Sequence, residues 1–235
     1  MSISFKYMYM NLSEFLEALL DAEQEGIAVF MAGGVGVGKS TFAELILGKD
    51  SPGFVSIRPD ALLERAEAME GRIRGDKDFQ FDAGKRREVV SRSKKSGMKM
   101  FTKRSKANYN VILDRTGRAV AETKKEISRL EKLGYKHIYM IFIYTEDVEI
   151  SKKRNLSRKR NEPEEVVIEY HNYAIKNKPI YAEMFGDNFM AIHSEQPVNK
   201  NKHLLLGMTE QIKRAILNGE PIARYETRFN EKLNS

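Results

Sequence analysis

The 235-residue chain contains no cysteine, which excludes disulfide scaffolds, thiolate zinc sites, thiol nucleophiles and iron–sulfur clusters. It also lacks any apolar run near the ~18 residues that cross a bilayer; the longest extends from Ile138 to Tyr144. Its opening residues carry no basic stretch followed by an apolar signal segment. Membrane insertion and secretion are therefore not expected, and the expected compartment is the cytoplasm. Histidine is scarce: His137, His171, His193 and His203 show no metal-ligand spacing, so packing or surface roles are expected and no zinc site. No internal repeat, heptad run or low-complexity linker divides the chain. What remains is ordinary globular material, with 41% hydrophobic residues, 12 Phe, 10 Tyr and 31% charged residues of mixed sign. Forty Lys and Arg against 33 Asp and Glu give a net charge of +7, which points to polyanionic partners.

Short apolar runs alternate with helical patterns. Ile3 to Met10 reads as a β-like piece, and Leu12, Phe15, Leu16, Leu19 and Leu20 as one face of a packing helix. Strands are expected at 27–31, 54–57, 111–113, 137–144 and 189–192, the first followed at once by glycines. A helix from Ser40 to Gly48 follows the first strand, and Val120, Ile127, Leu130 and Leu133 form the stripe of a crossover helix between the third and fourth. Leu204, Leu205, Met208 and Ile212 mark one side of a helical segment from Lys200 to about Asn218, and the polar residues from Arg224 onward read as a loose tail. The fold expected is a three-layer α/β/α domain with about five mainly parallel strands.

The strongest motif is Gly33-Gly34-Val35-Gly36-Val37-Gly38-Lys39-Ser40-Thr41, a full match to G-x-x-x-x-G-K-[ST] between a predicted strand and a predicted helix. Glycines let backbone N–H groups turn inward around phosphate oxygens, Lys39 adds a charge at the β and γ phosphates, and Ser40 suits Mg²⁺. The helix N-terminus adds its positive end. A dinucleotide site is disfavoured because Lys39 stands where the third glycine of G-x-G-x-x-G belongs.

Phosphoryl transfer also needs charge neutralisation and a base for the acceptor's proton. Asp60 follows the second strand in Ser56-Ile57-Arg58-Pro59-Asp60 and is a candidate general base, while an Asp there also suits a helix cap. Asp114 ends the third strand in Val111-Ile112-Leu113-Asp114-Arg115-Thr116-Gly117 and is a candidate to position Mg²⁺, or else a turn residue. In the basic segment Glu149 to Arg160, Arg154 and Arg158 are i and i+4 and so share a helical face, which suits a lid over a triphosphate or a solvated basic surface.

These motifs resemble those of the P-loop kinases that include the phage-type polynucleotide 5′-hydroxyl kinases and the zeta toxins, over about residues 27–193. The resemblance implies a single kinase domain over 1–235, with a core at 27–193, a helical acceptor-side insertion at 64–110, a lid at 148–163 and a C-terminal extension at 197–235. It implies ATP and Mg²⁺ as cofactors, Asp60 as general base and Arg154 and Arg158 as lid arginines. Leu63 occupies the place where polynucleotide kinases commonly carry an arginine for the acceptor phosphate, the nearest arginine being Arg65.

Ten Lys or Arg residues between Lys85 and Lys106, against the one carboxylate Glu88, would track a phosphodiester backbone, with Phe101 and Tyr109 available for stacking. Nucleic acid is therefore the leading acceptor, through a 5′-hydroxyl or a hydroxymethylated base in DNA. The alternatives are a zeta-toxin-type kinase of a nucleotide sugar and, in a non-kinase class, a nucleotide-dependent ATPase switch.

Overall fold

The computed structural model describes residues 26–48, 53–57, 59–76, 79–82, 109–158, 161–196 and 198–235, with isolated residues between 84 and 103. The expected N-terminal strand and helix lie outside the described residues, as does most of the basic insertion 85–106.

Five strands form one sheet: β1 (Ile27–Ala32), β2 (Val55–Ile57), β3 (Val111–Arg115), β4 (His137–Tyr144) and β5 (Phe189–His193), in the order β2-β3-β1-β4-β5. Every adjacent pair is parallel. All six β1 residues are buried, as a central strand covered on both faces must be. Ile27, Val29 and Met31 enter one core with Tyr139, Ile141 and Ile143 of β4, while Ala28, Phe30 and Ala32 enter the other with Met140 and Phe142.

The first core is covered by α1 (Lys39–Leu47), by α6 (Val198–Leu217), which is kinked at Asn201, and by α7 (Glu226–Asn234). The second is covered by α3 (Val120–Lys132) and α5 (Glu164–Phe185). Two further helices, α2 (Pro59–Arg74) and α4 (Val148–Leu156), follow β2 and β4. The three-layer α/β expectation holds, and each strand lies within two residues of its sequence-predicted bounds.

Two expectations fail at the C-terminal end. Leu204 is 40% exposed, because the buried stripe of α6 runs through Leu205, Met208, Ile212, Ala215 and Ile216. The expected loose tail is instead the helix α7, whose Phe229 and Leu233, one turn apart, are fully buried. The polar residues of α7 face the open edge of β5. Glu226 accepts from the Ala191 amide at 2.7 Å and Asn230 donates to the Ala191 carbonyl at 2.9 Å. Asn230 also accepts from the His193 amide at 2.9 Å, and Asn234 donates to the His193 carbonyl at 3.1 Å. Three side chains spaced by four residues thus take the place of a neighbouring strand.

Candidate functional site

In a parallel sheet all strands deliver their carboxyl ends to one edge, and the loops there share a crevice. The loop between β1 and α1 is the glycine motif. Gly33 has φ +144° and a Cβ on it would collide with the Ile143 carbonyl; Gly36 has φ +77° and lies against the Ser151 backbone. Both positions demand glycine for conformation and for space. Val35 and Val37 are buried, so they anchor the loop and offer only backbone to a ligand. Lys39 Nζ donates to the carbonyls of Gly33 at 3.0 Å and Gly34 at 2.8 Å, which holds the ammonium across the loop. Ser40 and Thr41 are exposed in the first turn of α1.

Asp114 stands near the end of β3, paired in register with Met31 of β1, two residues before the glycine motif begins. Its neighbour Arg115 bonds the Asp114 carbonyl at 2.8 Å and the buried Glu126 carboxylate at 2.5 and 3.0 Å, which fixes the strand end. Asn177 of α5 donates to the Gly117 and Arg118 carbonyls, both at 3.0 Å. Arg118 lies over the Tyr170 ring, 5.0 Å from its centre. Asp60 is the second residue of α2, behind Pro59, so it lies inside the first turn rather than ahead of the helix. Strand order puts β3 beside β1 and β2 one place further, so Asp114 and Asp60 follow the loop in sequence across the edge.

The basic segment differs from its expected form. α4 ends at Leu156, and Arg158 lies beyond it, exposed, so Arg154 and Arg158 do not share a helical face. The buried Asn155 ends the helix by exchanging two bonds with the Glu162 backbone, at 2.8 and 3.0 Å, which ties off the loop between them. Lys159 and Arg160 lie outside the described residues. Arg154 points to the loop after β5, donating to the Ser194 carbonyl (2.7 Å), the Ser194 hydroxyl (3.1 Å) and the Glu195 carbonyl (3.0 Å). Burial lowers its pKa from the ordinary arginine value. Lys152 bridges Glu149 and Glu164, each at 2.7 Å, and these two bonds push its pKa to about 12.

Three supports were invisible in the sequence: Glu126 behind Arg115, Asn177 behind the loop after β3, and Asn155 at the base of the loop after α4. Each is a single polar residue inside a helix, and only the folded chain shows its partner.

Beside the glycine loop, His171 of α5 packs against the Gly34 backbone. Burial lowers its pKa, opposed by a bond to the Glu146 backbone and by the Asp147 charge. Among the described residues no helix is long and apolar enough to cross a membrane.

The sequence matches the zeta toxin family over residues 16–205. No curated protein matches it. Among solved structures, the PezAT chromosomal toxin-antitoxin system of Streptococcus pneumoniae is similar at 19% identity, covering 95% of this chain and 94% of that one with a TM-score of 0.51. The AvrRxo1-ORF1:AvrRxo1-ORF2 structure with ATP is similar at 15% identity, 92% and 78% coverage and a TM-score of 0.56.

Proposed function

The chain belongs to the zeta toxin family and is a P-loop phosphotransferase, and from that premise we propose that it moves the γ-phosphate of ATP to a hydroxyl of a small acceptor of the nucleotide-sugar class. The observation that carries this reading is the Lys39 ammonium held across the glycine loop at the end of the central strand, with Asp114 near the end of β3 and Asp60 in the first turn of the helix after β2. Backbone N–H groups, Lys39 and the N-terminus of α1 receive the phosphates and carry the charge that shifts toward ADP. Asp60 accepts the proton of the acceptor hydroxyl. The freed oxygen bonds the γ-phosphorus as the bond to the β–γ bridging oxygen breaks. Arg154 and Arg158 follow β4, on the side of β1 away from β3, and are the lid residues of this proposal.

Exposed Ser40, on the helix after β1, and half-buried Asp114, on β3 that pairs with β1, are hard oxygen donors of the kind that suit Mg²⁺. Bound there, the ion would neutralise charge on the β and γ oxygens.

Family membership and Leu63 in place of an acceptor-phosphate arginine favour the small acceptor over nucleic acid. The ten cations between Lys85 and Lys106 favour the second reading, a nucleic-acid hydroxyl. Transfer of γ-labelled phosphate to a panel of nucleotide sugars, with a 5′-hydroxyl oligonucleotide and the Asp60→Asn variant run alongside, separates them. Label on a sugar nucleotide, reduced ~10²- to 10⁴-fold in Asp60→Asn with ATP binding kept, is the expected result. Label on the oligonucleotide alone would replace the first reading with the second.

A further inference from the structure

Away from the glycine loop, three side chains converge at the carboxyl ends of β4 and β5. Glu146, His193 and Glu195 each bring one ligand atom within 4.8 Å of the other two. His193 Nε2 is fully covered and makes no hydrogen bond, although Glu195 Oε1 stands 2.9 Å away. The pair is close enough to bond but is not aligned for N–H donation. Ligands held ~2.0–2.2 Å from one ion stand ~3 Å apart, so the spacing suits a shared ion.

The ring is preset for this. His193 stacks on Tyr144 with centres 5.0 Å apart and planes 19° from parallel, and the His193 backbone is held on both sides by Asn230 and Asn234. Glu195 is fixed through its carbonyl, which accepts from Arg154. Glu146 is exposed and lies at a cleft of about 460 Å³ lined also by Tyr144, His171, Lys176 and Lys178, so this ligand is open to solvent.

We propose that Glu146, His193 and Glu195 form a binding site for a divalent transition metal of the Zn²⁺ type, with open positions left for water. One imidazole nitrogen with two carboxylates selects Zn²⁺, Co²⁺ or Ni²⁺ over Mg²⁺, so the site is chemically distinct from the Ser40 and Asp114 pair. Sequence spacing could not show it, because Glu146 reaches the other two ligands only through strand pairing.

The test is calorimetric titration of Zn²⁺ into the full, untagged 235-residue chain in excess Mg²⁺, beside His193→Ala and Glu195→Gln, with circular dichroism confirming each fold. The expected result is one equivalent bound, with at least a ~10-fold loss of affinity in each variant. If His193→Ala does not fold, the near-isosteric Glu195→Gln decides alone. Absence of binding, or binding of equal strength in the variants, overturns the site and leaves His193 and Glu195 as a local side-chain contact.

Discussion

The lysine of the glycine loop is restrained before any ligand arrives. Lys39 already spans the Gly33 and Gly34 carbonyls, so little ordering remains to be done when a polyphosphate enters. Lys39→Ala should abolish phosphate transfer from γ-labelled ATP while circular dichroism stays unchanged, because the loop is anchored by Val35 and Val37 rather than by the lysine. Arg154 and Arg158 should separate in the same assays. Arg154 makes three bonds to the loop after β5, so Arg154→Ala should lower thermal stability by ~1.5–3 kcal/mol besides slowing transfer. Exposed Arg158 has no such structural duty, so Arg158→Ala should leave the melting temperature alone and lower kcat more than ATP affinity. At this scale the glycine motif between β1 and α1 was legible because its residues are contiguous. The anchors Asn155, Asn177 and Glu126 were not, because a lone polar residue in a helix looks the same whether it meets water or a distant carbonyl.

Among the elements, α5 couples packing to protonation. His171 is buried beside the glycine loop and its pKa lies below the ordinary histidine value of 6.5, chiefly through burial. A base whose folded pKa is depressed binds its proton more readily unfolded, so its stability contribution is whole above the unfolded pKa and is lost as pH falls from 6.5 toward the folded value. The melting temperature should therefore drop between pH 7.5 and 5.5 more steeply for the wild type than for His171→Gln; equal slopes would assign the acid sensitivity elsewhere. Strands were the most legible elements, because a run buried on both faces is almost wholly apolar and ends where turn residues begin. Helix ends were harder. α4 stops short because the Asn155 amide finds the Glu162 backbone, a competition that charge periodicity cannot register. α7 was misread because it contributes only Phe229 and Leu233 to the core, and its polar face meets a sheet edge instead of solvent.

Across the whole molecule, the parallel sheet was predictable from alternating strands and helices, whereas the order β2-β3-β1-β4-β5 was not, since a given run of elements permits several arrangements. The closure of β5 by α7 was equally hidden. Asn230 serves both the Ala191 carbonyl and the His193 amide, so Asn230→Ala should cost ~1–3 kcal/mol of stability in denaturant unfolding. The freed edge should also promote concentration-dependent self-association, read by sedimentation velocity. A monodisperse variant of unchanged stability would show that water replaces the asparagine without loss.

A strand partnered by another strand is held by backbone groups that every residue except proline carries, so its pairing tolerates almost any substitution. The partner of β5 is held by the identities of Glu226, Asn230 and Asn234. Sheet closure, usually indifferent to the genetic text, becomes here a message of three letters spaced by four, and one altered codon can leave it unread.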